Sequence, residues 1–116
     1  MKIKSFDSLD HDGIIRVALR AWAPVFQTME PAMNPDVYQV FYGDRWQATQ
    51  QQAVDQVCAD VDNPTWVAIL SGEIVGFIAI KLHHEGRMGE IYMVAMVAVD
   101  PDFQGQGVGG ALIQLL

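Results

Sequence analysis

The chain holds 116 residues, 51% of them hydrophobic and 18% charged, with seven basic side chains against fourteen acidic ones and a single cysteine. That length and apolar content suit one folded domain over residues 1–116 and exclude both a multidomain assembly and a dominantly disordered chain. A formal charge of −7 argues against nucleic acid and anionic membrane surfaces as partners, and the lone Cys58 excludes an intrachain disulfide or a multi-cysteine zinc site.

Lys2, Lys4, Asp7, Asp10, Asp12, Arg16 and Arg20 stud the N-terminal segment, which leaves no apolar core for a secretory signal. No apolar run is long enough for a membrane-spanning helix, so a cytoplasmic protein is expected. Lys2 to Phe6 alternates polar and apolar residues and predicts a short strand. Ile14, Ile15, Ala18, Leu19 and Trp22 then recur at helical spacing. Ser8 or Asp10 is placed to cap that helix, and Pro24 is expected to end it near Ala23. A proline-bearing loop follows, and Asn34-Pro35 reads as the cap and first turn of a second helix. Gly43-Asp44 splits the helical region, and Ala53, Val54, Val57, Cys58 and Val61 share a face of its later part, which Asn63-Pro64 stops.

From Thr65 the period changes from helical to alternating. Thr65–Leu70 predicts a strand, Ser71-Gly72 a hairpin turn, and Ile74–Leu82 its second arm. His83 to Arg87 reads as a polar turn around Gly86. Ile91–Val99 is apolar on both faces and predicts a strand covered on both sides, broken by Asp100-Pro101-Asp102. The expected fold class is mixed α/β, with a largely antiparallel sheet flanked by helices.

Gly105, Gly107, Gly109 and Gly110 crowd into six positions just before an apolar helix start. Glycines there let the backbone turn tightly and approach a ligand, and N–H groups at a helix start favour phosphate. The segment carries no lysine, so it is not a Walker A loop. Gly105, Gly107 and Gly110 fit G-x-G-x-x-G. The dinucleotide reading of that pattern is weak, because Asp100 to Gln104 separate it from the strand and no acid follows about twenty residues later. A plain connector would also tolerate four glycines, yet the strand, proline and helix start around them point to a built site.

The stretch Val97-Ala-Val-Asp-Pro-Asp-Phe-Gln-Gly-Gln-Gly-Val-Gly-Gly-Ala-Leu112 resembles motif A of the GNAT N-acetyltransferases, with Gln104-x-x-Gly107-x-Gly109 at its core. The Trp66–Leu82 hairpin with Gly72-Glu73-Ile74-Val75-Gly76-Phe77 is also similar to that family. The first 64 residues match it in element order only. The resemblance implies an acetyl-CoA-dependent N-acetyltransferase fold. It assigns the pyrophosphate to the amides of Gln104, Gly105, Gln106, Gly107, Val108, Gly109 and Gly110. The main chain of Val97, Ala98 and Val99 would pair with the pantetheine arm. The acceptor it implies is a small-molecule or peptide amine of unspecified identity.

The match departs at the proton chemistry. An ammonium must lose a proton before it attacks, which calls for a base or a water chain. Family members often place a glutamate within the motif A strand, where this chain has Met93 and Ala95. Glu90, at the strand start, is the nearest carboxylate. It reads either as the catalytic base or water-holder, or as a solvated strand-end acid. The tyrosine that often protonates the leaving thiolate comes in the family from a later segment. The rival to an active enzyme is therefore a CoA-binding or assembly module, or half of a split enzyme completed by another chain.

No metal site is expected. His83-His84-Glu85 reads as a solvated turn, because neighbours on a strand point to opposite faces. Cys58, with no histidine near it in sequence, reads as core. Trp22, Trp46, Trp66 and the Tyr38/Phe41/Tyr42 cluster read as packing, with one or two of them available to an acceptor pocket. Asp36 and Asp44 read as surface acids. Leu116 falls six residues after Gly110, whereas the family fold continues through further strands. The Ile91–Val99 edge is thus expected to pair with a second copy or a partner chain, or to belong to a longer molecule.

Overall fold

Alternating Lys-Ile-Lys-Ser forms strand β1 (Lys2–Ser5), which opens a four-stranded sheet. The computed structural model describes residues 1–42, 45–59, 64–85 and 89–115, with only the backbone described at 41–42, 82–85 and 89–92. Strands β2 (Thr65–Leu70), β3 (Glu73–Glu85) and β4 (Gly89–Val99) follow the helices. Spatial order equals chain order, β1-β2-β3-β4, and every pairing is antiparallel. The sheet is therefore a meander, as expected. Ser71 at φ 53° and Gly72 at φ 80° make the β2–β3 turn.

Adjacent residues of a strand point to opposite faces, and the core divides accordingly except at a bulge in β3, where Ala68 pairs with Gly76 and Ile69 with Ile74, so that the extra residue Val75 breaks the alternation. On one face Val67, Phe77 and Ala98 meet Ile14, Val17 and Ala18 of helix α1 (His11–Ala32) and Val54 of helix α3 (Trp46–Ala59). On the other, Ala68, Val75, Ile78 and Ile80 meet Val108 and Leu112 of the short helix α4 (Val108–Ile113). Glycine sets both approaches. A Cβ on Gly13 would lie 2.6 Å from Ile74 Cδ1. One on Gly76 would lie 3.0 Å from Val108 Cγ1 and 3.1 Å from the Ala98 carbonyl oxygen.

The helices start and stop differently from the local signals. Asp10 takes the N-cap position of α1 as one of the two expected residues, but its carboxylate makes no cap bond there, and Asp7 caps the turn before it. The Asp7 carboxylate accepts from Leu9 N at 2.8 Å, and Asp10 accepts in return from Asp7 N at 3.0 Å, around the 3-10 turn Ser8–Asp10 that leads into α1. Pro24 does not end α1, which runs through it to Ala32. A proline inside a helix costs roughly 3 kcal/mol. Here the continuing turn places buried Phe26 against Trp46 of α3, stacked at 4.5 Å and 11°, with Trp22 6.4 Å away and tilted by 47°. That aromatic packing offsets the lost N–H. Asn34 then caps helix α2 (Pro35–Tyr42) as read from the sequence, its Oδ1 accepting from Asp36 N at 2.9 Å. The Gly43-Asp44 break lies outside the described residues.

Two strand expectations also change. His83 and His84 are not in a turn. They extend β3 and pair with Ile91 and Glu90 of β4, while Gly86 and Arg87 lie outside the described residues. β4 is not covered on both sides. Met93 is 53% and Val94 40% exposed, and only Ala98 of the described side chains from Met93 to Val99 is buried. An edge strand has one neighbour, and among the described side chains of β4 those packed into the two core clusters are Met96 to Val99.

Candidate functional site

The end of β4 is held firmly. Asp100 N donates to Val75 O at 2.8 Å, the Asp100 carboxylate accepts from Asp102 N at 2.9 Å, and Phe103 N donates to Asp100 O at 2.9 Å. This 3-10 turn (Pro101–Phe103) redirects the chain away from the sheet. Gln104 Nε2 reaches back to Val99 O at 3.2 Å. Gly105 at φ 82° and Gly107 at φ 83° then adopt the left-handed backbone that costs other residues about 1–2 kcal/mol. Gly107 is the N-cap of α4 and brings no side chain to cap it. The first N–H groups of an α-helix have no acceptor within the helix, so those at the start of α4 are left to other partners.

A cleft of about 540 Å³ opens beside this loop. Val97, Ala98 and Val99 form one wall, and Gln104, Gly105 and Gly107 to Gly110 form another. Ala21, Trp22 and Val25 of α1 close it from the opposite face of the sheet. At Gly105, Gly107 and Gly110 the place of a Cβ is open space, so the glycines leave room for a ligand to reach the backbone. No charged side chain lines the cleft among the described residues. What it offers is amide N–H groups, a strand edge and apolar walls.

The resemblance drawn from the sequence is met independently by a family model described as the acetyltransferase (GNAT) family, which matches residues 27–116. The chain belongs to the GNAT acetyltransferase family. This GNAT chain is 39% identical over 69 residues to the mycothiol acetyltransferase of Streptomyces griseus subsp. griseus, which covers 58% of the chain and 22% of that relative. It thus spans less than a quarter of the relative's length. Among solved structures it superposes on a GNAT acetyltransferase from Brucella melitensis, in complex with acetyl-CoA, with a TM-score of 0.67 at 25% identity over 98% of this chain and 64% of the other. An aminoglycoside 6'-N-acetyltransferase from Acinetobacter haemolyticus shares the fold, with a TM-score of 0.65 at 13% identity over 99% of this chain and 68% of that one.

The sequence-derived loop and strand residues come together in this GNAT cleft: Val97 to Val99, Gln104, Gly105 and Gly107 to Gly110 all line it. Gln106 belongs to the same loop but not to the lining. Glu90 is placed by its backbone alone, in β4 opposite His84, and its side chain lies outside the described residues. The same holds for the side chains of His83, His84 and Glu85.

Three features escaped the sequence. The first is the α1 wall, since helical spacing marks Trp22 as apolar without saying that it faces a cleft. The second is a bulge. Ala79 pairs with Met96 and Ile80 with Val94, so Ala95 has no partner on β3. The third is a separate recess lined by Phe6, Leu9, His11, Asp12, Asp55 and Cys58. There His11 Nε2 lies 2.5 Å from Asp55 Oδ1. The hydrogen bond to Asp55 raises the His11 pKa above its ordinary 6.5, against the opposing effect of desolvation. Cys58 does have a histidine in the same recess, contrary to its sequence neighbourhood. Burial, and then the Asp55 charge, push the thiol of this half-buried cysteine up, which opposes formation of a thiolate.

Proposed function

We propose that the chain is the cofactor-binding part of an N-acetyltransferase that takes acetyl-CoA and transfers the acetyl group to an amine. The observation that carries this reading is the cleft itself. Left-handed glycines, uncapped amides and a free strand edge meet there in a chain of the GNAT family. The pyrophosphate sits on the amides of the Gln104–Gly110 loop, and the pantetheine arm pairs with the Val97–Val99 edge. The apolar walls formed by Trp22, Val25 and Ile113 exclude water around the arm.

In the transfer, the amine nitrogen bonds to the thioester carbon, the carbonyl oxygen becomes an oxyanion, and the C–S bond then breaks to release CoA thiolate. The backbone N–H of Ala95, the extra residue of the bulge, is the donor we assign to that oxygen. Glu90 is proposed as the base or water-holder. Mixing the protein with acetyl-CoA and a panel of amines, and following free thiol, tests the reading. Amine-dependent thiol release is the expected result. If Glu90 takes the proton, Glu90→Gln lowers kcat about a hundredfold with little change in the KM for acetyl-CoA.

A second reading is favoured by one observation: Met93 and Ala95, both exposed on β4, carry no ionisable group. On that reading the chain binds CoA but transfers nothing, or transfers only with a partner chain. CoA binding without thiol release from any amine would select it. We also propose that a second copy or a partner chain pairs with the exposed Met93–Val94 stretch of β4. A stable monomer in sedimentation at high concentration would contradict that.

A further inference from the structure

A buried carboxylate beside a phosphate loop needs an explanation. Asp100 is 6% exposed and directly follows Val99, a wall of the cleft, while Asp102 directly precedes Phe103, another wall residue. Two carboxylates so placed oppose the entry of a polyanion. Arg20 answers both. Its Nε lies 3.1 Å from Asp100 Oδ2 and its Nη2 2.8 Å from Asp102 Oδ2. Arg20 in turn directly precedes Ala21, on the α1 wall. One guanidinium therefore ties the helix that closes the cleft to the turn that launches the glycine loop, across 80 residues of chain.

We infer that Arg20 is a positioning residue for the phosphates of coenzyme A, acting by screening Asp100 and Asp102 at the turn that leads into the glycine loop; the inference rests on the acetyl-CoA reading above. With Arg20 paired, the trio carries a net of one negative charge. Losing the arginine doubles that charge, losing the Asp102 carboxylate cancels it, and losing both restores it. Screening and simple bracing make opposite statements about Asp102. If the bridge only braces the turn, removing Asp102 weakens cofactor binding. If it screens, removing Asp102 strengthens it.

Calorimetric titration of CoA into the wild type, Arg20→Gln, Asp102→Asn and the double variant decides the matter. Melting curves check that each one folds. Screening predicts that Arg20→Gln weakens CoA binding about fivefold, that Asp102→Asn tightens it about twofold, and that the double variant returns close to wild type. These differences shrink as salt is raised to about 1 M. Asp102 is 73% exposed on its side chain, so Asp102→Asn carries the test even if Arg20→Gln fails to fold. Wild type that binds CoA while Asp102→Asn binds it equally or more weakly overturns the inference alone. A folded wild type that does not bind CoA overturns both the inference and the acetyl-CoA reading.

Discussion

The two faces of the sheet are covered in different ways. One lies under the 22-residue α1 and the 14-residue α3, joined by the Phe26–Trp46 stack and the His11–Asp55 contact. The other lies under α4, which the glycine loop delivers and whose buried side chains among the described residues are Val108 and Leu112. The first cover carries the longer helices. The second borders the cleft, because the loop that leads into α4 lines it. Damage to the α1 face should therefore be read in unfolding, and damage to the α4 face in unfolding and in ligand affinity together.

The sharpest way to break that contrast is a matched pair of core truncations. Phe77→Ala, at a site with no exposure on the α1 face, should cost about 4 kcal/mol in urea unfolding. It should leave the CoA affinity of the protein that remains folded within about twofold. Leu112→Ala, equally buried on the α4 face, should cost about 3 kcal/mol and also weaken CoA binding at least about tenfold. Equal effects on affinity would erase the contrast.

A finer test uses two glycines of equal backbone geometry. Gly72 at φ 80° and Gly107 at φ 83° have open space where a Cβ would stand. Each alanine substitution should cost about 1–2 kcal/mol of stability from the left-handed backbone. Only Gly107→Ala should also reduce CoA affinity, since Gly107 lines the cleft and Gly72 does not.

The smallest effect concerns the recess on the α1 face. The hydrogen bond to Asp55 raises the His11 pKa, so the stability it contributes is complete below the unfolded value of 6.5 and is lost as pH rises through the higher folded value. The His11 side chain is 38% exposed, which limits the contribution to under about 1 kcal/mol after solvent screening. The melting temperature of wild type should exceed that of Asp55→Asn below about pH 6 and converge with it above about pH 8. CoA affinity should be unchanged by this variant.

Where neighbouring residues decide an outcome, the sequence was a good guide. The alternating Thr65–Leu70 run, the Ser71-Gly72 turn and the clustered glycines all read correctly as strand, hairpin turn and a tight turn into a helix start. Where partners distant in the chain decide it, local signals misled. Pro24 is a helix stop until Phe26 finds Trp46. Nothing near Arg20 in the sequence points to Asp100, which the fold brings to it. His83 and His84 carry a polar signal typical of turns, yet backbone pairing with Ile91 and Glu90 extends the strand through them. Apolar content on both faces of β4 predicted burial that an edge position denies to Met93 and Val94.

The most direct test is amide mapping by two-dimensional 1H–15N NMR while acetyl-CoA is titrated into the folded protein. The predicted result is a saturable shift of the amides of Val99, Gly105, Gly107, Val108 and Gly109, with those of His11 and Asp55 unmoved. The absence of saturable shifts, or shifts centred on the His11–Asp55 recess, would contradict the assignment of the cofactor to the glycine loop.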